Sequence, residues 1–320
     1  MIKIIRSPLR YPGGKSKALS KIIEFLPEEI SEYREPFVGG GSLFIYMRQK
    51  YPDVIIKIND KNKDVYCFWK IARDKNDDLI QRIKEIKKDY KNGKDLFYDL
   101  RDQLVNNKIS EFERAVGFFI LNRISFSGLT TSGGFSKESF KKRFTSSSLE
   151  RVALLKEIME GVIITHGDYS NLLNGKKRDV LIYLDPPYLS SEKSKLYGQN
   201  GNLHFKFDHQ TLKEKVLACN HNILLSYDNS NLIKHSYEEN NDFNLFTLTF
   251  QYGMNNIYRG RIPKSKELVI INYASPLVVD KSLNSCKQIK NKSFIQYVSD
   301  YIENFVKVWK SERKLMEDIK

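Results

Sequence analysis

The stretch LIYLDPPYLS, residues 181 to 190, ends an apolar run with one carboxylate, two prolines and a tyrosine. Pro186 and Pro187 restrict the backbone because their rings lock φ. Asp185 is therefore held stiffly, and Tyr188 adds a flat aromatic face beside it. A rigid acceptor next to a ring suits a planar substrate that must be held in one orientation. An aspartate before a proline at a strand end also serves as an ordinary turn, so the motif has to be weighed with its companions.

Three other clusters carry chemistry. EPFVGGGS follows a short extended piece, and Gly39 and Gly41 let the backbone approach a ligand closely with amides free to face it. About twenty residues on, Asp60 ends the run IKIND, where a carboxylate can accept bonds from both ribose hydroxyls. The glycines are not GxGxxG, so a nucleoside without phosphate fits better than a dinucleotide. S-adenosylmethionine is such a molecule. Near the N-terminus, LRYPGGKSK has a Gly13-Gly14 turn that can bring Tyr11 and Lys15 to a shared pocket. Tyr11 suits a cofactor face, since a sulfonium is attracted to π-systems, and Lys15 suits its carboxylate. A surface turn before a helix is the plainer account of that stretch.

In this order, PLRYPGGK, EPFVGGGSLF, IND, HGDY and DPPY resemble the Dam-like, D12-class (alpha group) family of DNA adenine-N6 methyltransferases over roughly Ser7 to Tyr273. The resemblance implies that Tyr11 and Lys15 bind S-adenosylmethionine, that Pro36, Phe37, Gly39 and Gly41 line its pocket, and that Asp60 holds its ribose. Asp168 in THGDY would meet the adenine of the cofactor, with Asp185 at the reacting end. Asp185 and the Pro186 carbonyl would accept the two amino hydrogens of a target adenine flipped out of the duplex, Pro187 would stiffen the segment, and Tyr188 would stack on the base. The sulfonium methyl is already activated, so no metal is implied. Family members that read GATC carry an Arg and an Asn after NGL, whereas this chain has SGLTTSGGF, which argues against a GATC target.

For DNA contact the resemblance points to LNRISFSGLTTSGGF, with Asn122 and Arg123 matching its NR. The surrounding RISFSGLTTSGGFSKESFKKRF offers Ser127, Thr130, Thr131 and Ser132 for base edges and Lys137, Lys141, Lys142 and Arg143 for phosphates, interleaved with Phe126, Phe135, Phe140 and Phe144. Some of those phenylalanines are expected to pack beneath the loop. A second basic loop, QYGMNNIYRGRIPKSKE, adds Arg259 and Arg261.

The elements that must position these groups follow from periodicity. SKALSKIIEF has helical spacing and stops at Pro27, an apolar helical run follows the glycine turn, and DVIIKIND reads as a buried strand. Charged helical segments and a Gly/Ser-rich loop fill residues 61 to 151. Strand-like runs resume at GVIITHGDY, DVLIYLDPPY, NILLSYDN, FNLFTLTF and ELVIINYA. The expectation is an α/β protein: a Rossmann-like S-adenosylmethionine-dependent methyltransferase sheet, residues 1–60 and 152–279, interrupted by a mostly helical target-recognition domain, 61–151. Residues 280–320 form a C-terminal extension, with Phe294, Tyr297, Val298, Tyr301, Ile302, Phe305, Val308 and Trp309 at helical spacing.

Composition bounds the rest. With 320 residues the chain is long enough for one large domain or a catalytic domain with an insertion, and 53 Lys+Arg against 39 Asp+Glu give a net charge of +14 that favours a polyanion such as double-stranded DNA. A Lys-rich proteome also yields basic proteins of many kinds. Cys67, Cys219 and Cys286 lie far apart without CxxC spacing, and the five histidines show no HExxH, which speaks against disulfide and zinc frameworks. No stretch reads as a membrane span. The expected location is cytoplasmic, nucleoid-associated when bound to DNA, as a monomer or weak dimer, with a cognate restriction endonuclease left open as a partner. RNA or protein-amide methylation, or a DNA-binding relative without activity, is the rival reading.

Overall fold

Strand boundaries and connections explain how the separated motifs meet. The computed structural model describes residues 5–189, 207–251 and 264–275. Within them β1 (Glu32–Glu35), β2 (Ile55–Asp60), β3 (Ile163–His166), β4 (Val180–Leu184), β5 (Asn222–Asp228), β6 (Asn244–Gln251) and β7 (Lys264–Ile271) make one sheet in the order β3-β2-β1-β4-β5-β7-β6. The five strands from β3 to β5 are parallel, and β7 runs antiparallel between β5 and β6. VLIYL in β4 is buried at every residue, as expected of a strand covered on both faces. One core lies between β4, β5 and β7 and the helices α10 (His209–Leu217) and α11 (Asn231–Glu238), with Ile182, Leu212, Ile223, Ile233 and Ile270 in it.

The order reverses between β1 and β4: β1 leads outward to β2, β4 outward to β5. Ligands of open α/β sheets bind beyond the carboxyl ends of the strands at such a reversal. The glycine turn follows β1 and the DPPY segment follows β4, so both motifs open on that crevice.

The expected helix over SKALSKIIEF is broken into a 3-10 turn at Lys15–Lys17, a short α1 (Leu19–Ile22) and a 3-10 turn at Ile23–Phe25. The tighter winding at its start leaves the Lys15 side chain buried, facing the crevice instead of solvent. After the glycine turn comes α2 (Ser42–Lys50). Between β2 and β3 the chain forms α3 (Lys63–Asp74), α4 (Asn76–Asp89), α5 (Gly93–Asn106), α6 (Glu111–Ile124), α7 (Lys137–Arg143), α8 (Ser146–Ala153) and α9 (Leu155–Ile158). Helix α6 begins at a Ser110 cap that accepts from Glu113 N and is buried from Arg114 to Ile124 on all sides. A helix buried round its circumference lies inside its bundle, and its Arg114, Asn122 and Arg123 are buried with it. The loop after it closes where Phe126 N donates to Gly134 O and Ser136 N to Ile124 O. The loop carrying Arg259 and Arg261 and the C-terminal extension lie outside the described residues.

Candidate active site

Gly39 and Gly41 take φ of +41° and +66°, the left-handed region that L side chains rarely adopt. A Cβ on Gly39 would stand 2.7 Å from the Tyr11 ring, and one on Gly41 2.3 Å from Phe44. The N-terminal YPGG turn, closed by Gly14 N donating to Tyr11 O at 2.9 Å, is thus seated directly on the glycine turn, closed by Gly41 N donating to Val38 O at 2.7 Å.

Asp60 ends β2 beside this turn. Its Oδ2 accepts from Gly39 N at 2.9 Å and its Oδ1 from Asn62 N at 2.8 Å. Each oxygen keeps a further lone pair for a ligand hydroxyl. Burial pushes this carboxyl up to about 6, the two amides opposing. Buried Asn59, which the sequence reading passed over, donates to Pro36 O and Gly167 O, both at 3.1 Å. It staples the loops after β1 and β3 together. Asp168 caps a 3-10 turn, accepting from Ser170 N at 3.0 Å; burial raises its carboxyl, but the Ser170 hydroxyl and amide hold it below its ordinary value overall.

At the end of β4, Asp185 is one-fifth exposed and receives Lys15 Nζ at 2.7 Å on both oxygens. Burial pushes its carboxyl up to about 6; the Lys15 ammonium opposes that shift and Glu267 reinforces it. The same ammonium lies 5.0 Å over the Tyr188 ring, and Tyr227 stacks with that ring at 6.1 Å between centroids. Glu35, the last residue of β1, is a third carboxyl here. It accepts from Tyr33 Oη at 2.6 Å and Phe44 N at 2.9 Å, and burial pushes it up to about 8.

These groups surround one cavity of about 460 Å³, within the range of small-molecule sites. Its lining includes every residue expected to touch the cofactor: Tyr11, Lys15, Pro36, Phe37, Gly39, Gly41, Asp60, Asp168 and Asp185. Pro187 lines it too, whereas Pro186 and Tyr188 flank it. Glu35, Lys61, Phe207 and Lys215 also line it and went unassigned in the sequence reading. Glu35 stands inside the EPFVGGGS motif, so its signal was present; Phe207 and Lys215 have no local signature.

The residues expected at DNA divide. Lys137, Lys141, Lys142 and Arg143 are exposed on α7, while Phe140 packs on Gly93 and Phe144 beneath Lys87. Ser127, Thr130 and Ser132 are partly exposed, and Ser127 and Thr130 hold φ of 53° and 51°. Phe126 is 65% exposed. Asn122, Arg123 and Thr131 correct the expectation, because all three are buried. Asn122 accepts from Arg10 N at 2.9 Å and donates to Arg10 O at 2.6 Å, as a neighbouring strand would. Arg123 donates to Pro8 O and Arg143 O, both at 2.9 Å. Burial, with Arg151, Arg10 and Arg143 nearby, lowers its guanidinium to about 9. Both side chains tie the N-terminal segment to the helical region and present nothing to a groove.

Residues 11–254 match the family described as D12 class N6 adenine-specific DNA methyltransferase. The chain is similar to the Type II methyltransferase M.MjaIII of Methanocaldococcus jannaschii, 29% identical over 63% of this chain and 75% of the relative. It is also similar to the Type II methyltransferase M1.LlaDCHI of Lactococcus lactis subsp. cremoris, 25% identical over 85% and 96%. A DNA adenine methylase of Vibrio cholerae is 28% identical over 68% and 81%. The comparisons support adenine methylation of DNA and lend nothing to RNA or protein-amide methylation.

Proposed function

The chain belongs to the D12 class of N6 adenine-specific DNA methyltransferases, and from that premise we propose that it takes its methyl group from S-adenosylmethionine in the cavity between β1 and β4 and acts on an adenine flipped out of duplex DNA. The observation that carries this reading is the meeting of Asp185, Asp60 and the Gly39–Gly41 turn on one cavity.

The residues present suit that cofactor. Glu35, Asp60 and Asp185 face the same space with carboxyls pushed up to about 8, about 6 and about 6, all by burial first. A cationic ligand offsets the cost of ionising them, and S-adenosylmethionine carries a sulfonium and an ammonium. Asp60 would hold the ribose, Tyr11 and Phe37 the flat faces, and Asp168 the adenine edge. Bound there, the cofactor supplies an activated methyl group.

The remaining steps belong to this chain. The exocyclic nitrogen of adenine is a poor nucleophile because its lone pair is delocalised into the ring. Asp185 accepts one amino hydrogen and the Pro186 carbonyl the other, which draws the nitrogen toward tetrahedral geometry and localises that pair. Pro187 keeps the segment stiff. Tyr188 offers its ring to the base, and the released proton passes to Asp185 or to water. Flipping costs a few kcal/mol, part of which stacking returns.

The α7 cations, with Arg259 and Arg261, would bind phosphates, and the loop of Ser127, Thr130 and Ser132 would choose the site, with exposed Phe126 available to stack on a base. In this division residues 1–60 and 152–279 catalyse and 61–151 recognise the target. The Type II names of two relatives make a cognate endonuclease the partner to seek.

Labelled methyl transfer to DNA, RNA and protein, with wild type and Asp185→Ala, tests the reading. Transfer to N6 of adenine in DNA, abolished by Asp185→Ala with duplex binding retained, is the expected result; near wild-type turnover of that variant refutes the mechanism.

A further inference from the structure

The fold delivers one more carboxylate to the reactive aspartate. Glu267 lies on β7, opposite Asp228 of β5 in the antiparallel register, and is 3% exposed. Its Oε1 stands 3.8 Å from Lys15 Nζ. Among the described residues, Glu267 and Asp185 are the carboxylates within ion-pairing distance of that ammonium.

An ammonium has three donors, and Lys15 directs its contacts to Asp185 Oδ1, Asp185 Oδ2 and Gly13 O, at 2.7, 2.7 and 2.9 Å. Both oxygens of Asp185 are therefore engaged by one cation. The reaction proposed above has one of them also accept an amino hydrogen through its second lone pair, and an oxygen already held at 2.7 Å by an ammonium is the weaker acceptor for it. A buried ammonium drawn off Asp185 stays compensated if another anion stands beside it within the protein, and Glu267 is placed to be that anion. A displacement of about 1 Å would bring Nζ to the usual length of a charge-assisted bond with Glu267.

We propose that Glu267 is a positioning residue: it takes over the Lys15 ammonium as adenine engages Asp185, so that the lysine passes between two carboxylates without entering water. The inference rests on the reading of Asp185 as the amino acceptor. Lys15 thereby keeps Asp185 in place before the base arrives and releases one oxygen when it does.

The test is single-turnover methyl transfer from labelled S-adenosylmethionine to target duplex in wild type, Glu267→Gln, Lys15→Met and the double variant. Each variant is measured on the alkaline plateau of its own pH–rate profile, where Asp185 is ionised. Glu267→Gln is expected to slow transfer roughly tenfold or more while leaving cofactor and duplex affinity unchanged. In the Lys15→Met background the same replacement should cost less than about twofold, because no ammonium remains to be handed over. Glu267→Asp, which keeps the charge, should recover part of the rate. Equal losses in both backgrounds, or none in either, overturn the proposal. Should Lys15→Met be too slow to measure, the lysine ammonium resonance of Lys15 decides: it moves on adding duplex in wild type and stays fixed in Glu267→Gln, and an equal shift in both overturns the hand-over. Asp185→Ala measured alongside separates the two levels. Turnover by that variant removes the reading of Asp185 itself, whereas an inactive Asp185→Ala with a background-independent Glu267 effect removes only the hand-over.

Discussion

Replacing Lys15 by Met should move the acid limb of the methylation rate upward in pH. Asp185 acts as a carboxylate acceptor and its carboxyl sits near 6, so the wild-type rate falls as pH drops through about 6, by roughly tenfold per pH unit below it. Lys15 stands 2.7 Å from that carboxylate and 3.8 Å from Glu267. Two unit charges about 3 Å apart interact by roughly 5 kcal/mol at an effective dielectric of about 20. At about 1.4 kcal/mol per pKa unit that is between three and four units. Asp185 is one-fifth exposed, and water entering beside a methionine screens part of the lost attraction, leaving a rise of about one to three units. Of the groups left around Asp185, Glu267 pushes the same way as a like charge, while a hydrogen bond from Tyr188 opposes it. The assay is single-turnover methyl transfer across pH 5 to about 9.5 with saturating S-adenosylmethionine, and calorimetry separates cofactor affinity from the chemical step. An acid limb that stays at wild-type pH or moves lower would show that Lys15 does not govern the ionisation of Asp185.

Gly39→Ala should cut cofactor affinity by roughly tenfold or more, since its Cβ meets the Tyr11 ring at 2.7 Å on a backbone of φ +41°; equilibrium dialysis with labelled S-adenosylmethionine reads it. Asn122→Ala should lower stability by about 2 kcal/mol, because it leaves the half-buried Arg10 backbone groups without these partners; denaturant unfolding measures this, and the salt dependence of duplex binding should stay unchanged. Lys141→Ala with Lys142→Ala should weaken binding to all duplexes and reduce the salt slope by about two contacts, as a titration over ionic strength will report. Glu35→Gln should flatten the pH dependence of stability. In the wild type the folded carboxyl, near 8, lies above the ordinary unfolded value, so stability is fully present at low pH and is lost as pH rises through about 8, by about 5 kcal/mol at most.

The reacting groups were legible in the sequence because their requirements are local. Proline fixes its own φ, glycine alone takes φ of +41° or +66° without strain, and a carboxylate at the end of an apolar run reads as the end of a strand. Six of the seven strands were legible for the same reason, each containing an apolar run bounded by turn residues, whereas β1 is Glu-Tyr-Arg-Glu and was marked only by the glycine turn that follows it. Their order was not: nothing local places β7 between β5 and β6, or β1 beside β4. Hydrogen-bond partners were hidden in the same way. Asn122 and Arg123 carry polar groups that fit a DNA-reading loop, but packing turned them toward Arg10 and Pro8, 112 and 115 residues away. Lys15 and Asp185 lie 170 residues apart, and Glu267 reaches the same ammonium from β7, beside β5. Residue type decides what a side chain can donate or accept; which partner it finds depends on the long-range arrangement of strands, and only the tertiary structure supplies that.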